Sequence, residues 1–270
     1  MKCTVFGGNG FIGSRLVNYL RKNGFNVYVP DRSFQNFARI SLGHVFYCIG
    51  LTADFRQRPF DTVEAHVTYL SRLLEVNNFD SFLYLSSTRI YSKAVSTSEN
   101  MSVEVNPFDL SDFYNISKLM GESICLASGL SNIKIARLSN VIGSGMGAKN
   151  FLGLLIHEAL EGKVVLQTNP DSQKDYIFLD DVVELLMKVV LEGRDKIYNV
   201  ASGQQVSTFT LIEALRNLTG CSLECSMGLP LQSFPKIDIT RLQTAFGYSP
   251  RPILEYLPEI IENHRKMSTK

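Results

Sequence analysis

Tyr114 stands four residues ahead of Lys118 in the stretch DFYNISKLMGE, Asp112 to Glu122. If that stretch is an amphipathic helix, the two side chains lie one turn apart on a shared face. The chemistry open to such a pair is proton transfer. A phenol with its ordinary pKa near 10 is a poor base at neutral pH, and bringing it to 7 takes roughly 4 kcal/mol. One ammonium about 4.5 Å away supplies about that much at an effective dielectric near 20. Lys118 is therefore the expected activator of Tyr114. With 11 tyrosines in 270 residues, the spacing also arises by chance, so the pair needs support from elsewhere in the chain.

That support begins near the N-terminus, where VFGGNGFIG follows a short β-branched run and opens a helical pattern. Gly7, Gly10 and Gly13 satisfy G-x-x-G-x-x-G, while Gly8, Gly10 and Gly13 satisfy G-x-G-x-x-G. In either version the loop through Gly7, Gly10, Phe11, Ile12 and Gly13 turns tightly. It brings unpaired N–H groups and the positive end of a helix against a pyrophosphate. A dinucleotide is the ligand this pattern predicts. Asp31, in VYVPDRSF at the end of the second strand, is placed to accept both ribose hydroxyls of an adenosine and to repel a 2′-phosphate, which favours NAD. Arg32 beside it could grip that same phosphate, which keeps NADP as the alternative. The positive charge of an oxidised nicotinamide would help Lys118 against the cost of burying an ionised phenol. A third member of the site should be a hydroxyl that orients the reacting alcohol or ketone. Ser86, Ser87 and Thr88 compete for it at the carboxyl end of FLYLSS.

The elements that must position these groups alternate. CTVF, NVYVP, HVFYCIG, FLYLSS, IKIARLS, KVVL and IYNV read as strands. Helical patterns cover Phe11–Asn23, Asp61–Asn77, the Tyr114 segment, Phe151–Glu161 and Asp180–Glu192, with two more near Thr208 and Pro252. Strand and helix in turn predict an α/β fold of the Rossmann type, a doubly wound parallel sheet covered on both faces. Asp180 and Asp181 suit the cap and first turn of their helix, and Gly193 its stop. Past residue 145 the segments shorten and gain Gly, Pro and Ser, as in GSGMGAKN and GLPLQSFP. The expected division is a dinucleotide-binding unit over 1–145 with 176–201, and a small, largely C-terminal substrate lobe over 146–175 with 202–270.

Composition narrows the class. With 45% apolar residues, 20% charged residues and a formal net charge of +1, nothing favours nucleic acid or an anionic membrane as partner. KCTVFGG begins structure at once and no apolar run reaches bilayer length, so a cytoplasmic location is expected. Five cysteines (Cys3, Cys48, Cys125, Cys221, Cys225) suit free thiols in a reducing compartment, and four dispersed histidines leave no ligand spacing for a metal.

GGNGFIG, LSSTRIY, YNISK, ARLSNVIG and KDYIFLDDV, in that order, resemble the extended short-chain dehydrogenase/reductases of the NAD(P)-dependent epimerase/dehydratase group, over most of the chain and most strongly to about residue 200. The resemblance implies enzymes that act mainly on nucleotide sugars and commonly pair as homodimers through the helices carrying Tyr114 and the Asp61 segment. It places the catalytic hydroxyl four residues before Tyr91, on Ser87, and makes Tyr114 the acid/base and Lys118 its ribose-binding partner. It sets Gly50 and Ser139 against the cofactor and Asn140, Thr88 and Arg89 against the substrate. Dehydrating members carry Asp-Glu, and decarboxylating members a glutamate, where this chain has Thr88 and Arg89. An arginine keeps its proton across the accessible pH range and cannot replace a carboxylate. What the resemblance leaves is hydride transfer at a sugar carbinol, expected at C4, by an epimerase or a 4-keto-sugar-nucleotide reductase. An oxidoreductase on another small carbonyl substrate and a non-catalytic dinucleotide sensor are the alternatives. The chain departs from the pattern in three places. The stretch after Asp31 is too short for the usual extra strand and helix, His66 stands where an asparagine is usual, and no Arg-Pro-Gly-Asp motif occurs. Arg56, Arg58, Lys174 and Arg241 are the remaining candidates for a diphosphate.

Overall fold

A computed structural model describes residues 1–31, 34, 40–147, 150–226 and 228–268. In chain order the elements are β1 (Lys2–Phe6), α1 (Phe11–Lys22), β2 (Asn26–Tyr28), β3 (His44–Tyr47), α2 (Pro59–Val63), a π-helical turn (Glu64–Thr68), α3 (Tyr69–Val76), β4 (Ser81–Ser87) and a 3₁₀ turn (Thr88–Tyr91). There follow α4 (Asp112–Ala127), β5 (Ile133–Leu138), β6 (Asn140–Ile142), α5 (Phe151–Leu160), β7 (Lys163–Leu166), β8 (Gln173–Phe178), α6 (Leu179–Glu192) and β9 (Ile197–Val200). The chain closes with β10 (Gln205–Ser207), α7 (Thr208–Thr219), β11 (Ser222–Cys225), α8 (Thr240–Phe246) and α9 (Ile253–Ser268).

Six strands form a parallel sheet in the order β2-β1-β3-β4-β5-β9. The chain leaves β1 toward β2, then crosses back over β1 to lay down β3. That reversal opens a crevice at the carboxyl ends of β1 and β3, where open α/β sheets take ligands. Short runs such as VFY in β3 and FLYL in β4 are buried along their length because helices cover both faces. On one face α1 places Leu16, Val17 and Leu20 against Val182, Val183, Leu186 and Val189 of α6. On the other, α3 contributes Leu70, Leu73 and Leu74, and α4 contributes Cys125. Each fully buried aliphatic side chain contributes about 1.5–3 kcal/mol, so these layers fix the sheet firmly enough to aim residues at its edge.

A further apolar cluster joins α5, α7 and α9 through Leu155, Ile156, Leu211, Leu215, Leu257 and Ile260. Two small sheets accompany it, β10-β8-β6 and β11-β7. Strands β6, β8, β10 and β11 are absent from the sequence reading. The three-residue strands β6 and β10 are too short to show a period of two, and β8 runs directly into α6.

Two local expectations are corrected. The Asp61 helix starts at Pro59 and is broken by the π turn around His66. Asp180 and Asp181 lie in the first turn of α6, but Phe178 is its N-cap and no side chain caps it. Their carboxylates are drawn elsewhere: Asp180 accepts two bonds from Arg15, both 2.6 Å, and Asp181 accepts from Tyr248 at 3.2 Å and Tyr256 at 3.3 Å. Gly193 does follow the last helical residue of α6. As the short stretch after Asp31 implied, β2 is an edge strand of the main sheet among the described residues.

Candidate active site

The glycine loop is built by close approach. Gly7 sits at φ +76°, and a Cβ there would meet the Cys48 carbonyl carbon at 2.9 Å; a Cβ on Gly13 would lie 2.2 Å from the Gly7 oxygen. Neither position accepts a side chain without moving backbone. Gly10 caps α1 with extended backbone and offers no side-chain bond, and the first turn of α1 carries no acidic residue. The N–H groups at Phe11, Ile12 and Gly13 thus open the helix without a side-chain cap, and the helix dipole adds partial positive charge there. This donor set fits an anion of the pyrophosphate class. Asp31 lies three residues beyond β2, close enough for its charge to act on the Tyr69 phenol. Arg32 lies outside the described residues.

Tyr114, Ser117, Lys118, Gly121, Glu122 and Cys125 form the buried stripe of α4, turned toward β4 and β5. The stripe is polar where a sheet-facing helix is ordinarily apolar, so its groups must find partners. Of the three competing hydroxyls, Ser87 is the one near enough to the Tyr114 phenol to act on its titration. Ser87 also caps the 3₁₀ turn, accepting from the Arg89 N–H at 3.2 Å. Thr88 donates to the Leu138 carbonyl at 3.3 Å, and the buried Ser86 hydroxyl has no hydrogen-bond partner among the described residues. The Lys118 ammonium donates to the Leu85 carbonyl at 2.9 Å and lies 5.2 Å from the Tyr84 ring centroid.

The electrostatics depart from expectation. Burial pushes the Tyr114 phenol above its ordinary value, and what opposes this is the nearby Ser87 hydroxyl and then the charge of Arg89, not that of Lys118. The Arg89 guanidinium carbon lies 5.6 Å from the Tyr114 ring centroid, against 6.0 Å for the Lys118 nitrogen. Burial meanwhile pulls Lys118 down to about 7, with Glu122 and Cys48 acting the other way. An amine half-neutral at pH 7 is a weaker activator than a full cation, which is why the ammonium argument from spacing alone overstated it. Because the folded value lies below the ordinary 10.5, the unfolded chain binds more protons between about pH 7 and 10.5. Stability from this group therefore rises with pH through that window and is lost as pH falls toward 7. In urea titrations without added dinucleotide, the protein is expected to gain stability between pH 7 and 9.5 relative to Lys118→Met, by on the order of a few kcal/mol. Parallel curves for the two proteins would refute the assignment.

His66, read from the sequence only as a departure, is fully buried beside this pair. The Leu51 N–H donates to its Nε2 at 3.2 Å, so Nδ1 carries the proton and donates to the Ser117 hydroxyl at 2.8 Å. Ser117 donates in turn to the Tyr114 carbonyl at 2.8 Å. Burial, then the Lys118 charge, lowers the imidazole to about 2 and keeps it neutral. Its ring meets the Tyr114 ring edge-on at 5.5 Å. A Cβ at Gly50 would lie 3.3 Å from His66 Nε2 and 3.4 Å from Lys118 Nζ, so the turn after β3 runs close against both side chains.

The remaining candidates separate. Phe55, which the sequence did not single out, packs on the Tyr114 ring at 5.4 Å and carries Arg89 and Arg56 over its own ring at 5.4 and 4.5 Å. Asn140 donates to the Asp175 carbonyl at 2.7 Å, and Ser139 is buried at the end of β5 with its N–H on the Val200 carbonyl. Arg58 pairs with Asp61 at 2.7 Å, and Arg241 is engaged by the Ile197 carbonyl at 2.7 Å and Glu99 at 3.7 Å, which ties both to the framework. Among the described residues no group of three or more His, Cys, Asp or Glu could hold a metal, and no helix is long and apolar enough to cross a membrane.

Residues 3–201 match the NAD dependent epimerase/dehydratase family. The chain belongs to that family. GDP-6-deoxy-D-mannose reductase of Pseudomonas aeruginosa is 28% identical over 166 residues, which cover 57% of this chain and 54% of that protein. UDP-glucuronic acid decarboxylase 5 of Arabidopsis thaliana is 25% identical over an alignment covering 98% of this chain and 89% of that protein. Among solved structures, UDP-glucuronic acid 4-epimerase from Bacillus cereus, in complex with UDP-glucuronic acid and NAD, superposes with a TM-score of 0.83 at 20% identity, covering 99% of this chain and all of that one. At that identity the likeness speaks to the fold, and the α/β sheet described above is the one these proteins share. As a member of the epimerase/dehydratase family the chain is an NAD(P)-dependent enzyme of the Rossmann type.

Proposed function

We propose that the protein is a nucleotide-sugar epimerase or 4-keto-sugar-nucleotide reductase that moves a hydride at a sugar carbinol with Tyr114 as acid/base. The observation that carries this reading is the buried Tyr114 phenol beside Ser87 at the carboxyl end of β4, with the Arg89 guanidinium over its ring and Lys118 one helical turn on. Gly7, Gly10, Phe11, Ile12, Gly13, Asp31, Gly50 and Ser139 are the residues proposed to hold the dinucleotide. When bound, its nicotinamide takes up or gives back the hydride of the carbinol. Ser87 orients the reacting oxygen, and Tyr114 accepts the carbinol proton in one direction and donates it in the other. Arg89 supplies the positive field that steadies the phenolate, Lys118 is proposed to hold the ribose of the dinucleotide, and the Phe55 and His66 rings wall the phenol from water. Thr88 and Arg89 stand where an eliminating or decarboxylating relative would need a carboxylate, which supports simple hydride transfer. Asn140 is proposed to touch the substrate.

The expected division into a dinucleotide-binding unit and a small substrate lobe is supported by the separate apolar cluster of α5, α7 and α9. Five free thiols fit a reducing compartment such as the cytoplasm. Exposed Phe60 and Val63 on α2, with Met120 and Leu126 on α4, support a homodimer through these helices. The test is turnover of UDP-, dTDP-, GDP- and CDP-linked sugars with NAD or NADPH, read by nicotinamide absorbance and by product analysis. Dinucleotide binding with no turnover on any of them would favour a sensor and overturn the reading.

A further inference from the structure

The two ring nitrogens of His66 are engaged by two different walls of the site. Nε2 accepts from the Leu51 N–H at 3.2 Å, in the turn that follows β3 beside Gly50. Nδ1 donates to the Ser117 hydroxyl of α4 at 2.8 Å, and Ser117 gives its own proton to the Tyr114 carbonyl at 2.8 Å. One neutral ring thus joins the turn at the dinucleotide crevice to the backbone of the acid/base residue. Its seat is equally constrained. His66 lies in the π turn, where the Tyr69 N–H reaches back five residues to the Glu64 carbonyl. Such turns are rare, and inside helices they gather at functional sites. Two fully buried tyrosines hold this one from the sheet: Tyr47 of β3 donates to the Ala65 carbonyl at 2.7 Å, and Tyr84 of β4 to the His66 carbonyl at 3.3 Å. From the other side Gly121 lets α4 come close, since a Cβ there would meet the His66 carbonyl oxygen at 2.7 Å.

We infer that His66 is a positioning residue: a brace that sets the spacing between the turn at Gly50 and Leu51 and the helix that carries Tyr114 and Lys118. Hydride and proton leave the same carbinol, so the surface that seats the dinucleotide and the phenol must keep a fixed separation. A misplacement of about 1 Å is enough to slow a reaction roughly 10²-fold. An imidazole meets the requirement because it carries a donor and an acceptor on opposite edges of a rigid ring. Shorter or softer amides divide the task. Asparagine ends its amide where Nδ1 stands and serves Ser117 alone, whereas glutamine extends to the place of Nε2 and serves Leu51 alone. This deepens the proposed function, and the role given to Tyr114 rests on it.

The test sets His66→Asn against His66→Gln in the full chain. Both lose the ring, so its walling of the phenol cancels between them. Calorimetry with NAD or NADPH, whichever the parent binds more tightly, is expected to find His66→Asn about 10-fold weaker than His66→Gln. Turnover of an accepted nucleotide sugar is expected to be about 10-fold slower in His66→Gln than in His66→Asn, each ratio being about the worth of one well-placed hydrogen bond. Ser117→Ala, a change that suits a helix interior, should lower kcat as His66→Gln does and add nothing in the double variant. Without dinucleotide, nitrogen NMR of the parent's histidine rings should show His66 protonated on Nδ1 and bare on Nε2. Two histidine variants that lose affinity and rate in parallel, or that lose only melting temperature, would mean that the ring merely fills space and would overturn the inference. A proton on Nε2 would overturn it as well. A parent that turns over no nucleotide sugar removes the proposed function, while the dinucleotide comparison and the tautomer still decide the brace.

Discussion

Tyr114→Phe is expected to lower kcat by about 10³-fold, within the range that a positioned acid/base supplies, while dinucleotide affinity changes little. Phenylalanine keeps the ring that packs against Phe55 and His66. It removes only the hydroxyl that faces Ser87. Loss of the proton-transfer group with the walls intact should appear in kcat and kcat/KM together, the signature of an interaction made in the transition state. Steady-state rates on any accepted sugar, with a dinucleotide-binding isotherm as the control, decide it. A variant that retains half the parent rate would mean that the proton travels by another route.

The second large effect concerns stability. Arg137 on β5 and Glu122 on α4 form a pair 5% and 3% exposed, with Nη2 to Oε2 at 2.6 Å and two further contacts from Nε. Nη1 also donates to the Tyr91 hydroxyl at 2.5 Å and the Glu99 carbonyl at 3.1 Å. Arg137→Met strands a carboxylate out of water, and breaking a buried pair from one side typically costs 3–5 kcal/mol. For a chain of this size a loss of that order lowers Tm by roughly 10 °C. Removing both charges with Arg137→Met and Glu122→Leu should recover much of it, because the desolvation penalty leaves with the attraction. Thermal melts of the two variants check this. The idea is sunk if the single variant melts within a degree or two of the parent, or if the double variant is the worse of the two.

How far the sequence can be read depends on how local the determining physics is. The glycine loop was legible because tight turns and helix starts are written within a few residues, and Gly7 and Gly13 stand where the backbone admits nothing larger. The sheet was legible for the same reason, as alternating buried runs and helical stripes. The short strands β6 and β10 were not, since three residues show no period. Tyr114 and Lys118 could be paired by spacing, but their charge states could not. Burial of Lys118 and the approach of Arg89 come from β4 and the 3₁₀ turn, some 30 residues earlier in the chain. Phe55 carries no local signal at all; only the fold brings it to the phenol.

The buried imidazole of His66 has a consequence for any titration of the catalyst. A histidine is the side chain ordinarily blamed when velocity bends near neutrality, yet this one keeps a single tautomer and stays uncharged down to about pH 2. Should velocity show an inflection close to pH 7, its owner within the core of the site is the amine of Lys118. The protein would then wear the kinetic signature of a histidine enzyme without having used one.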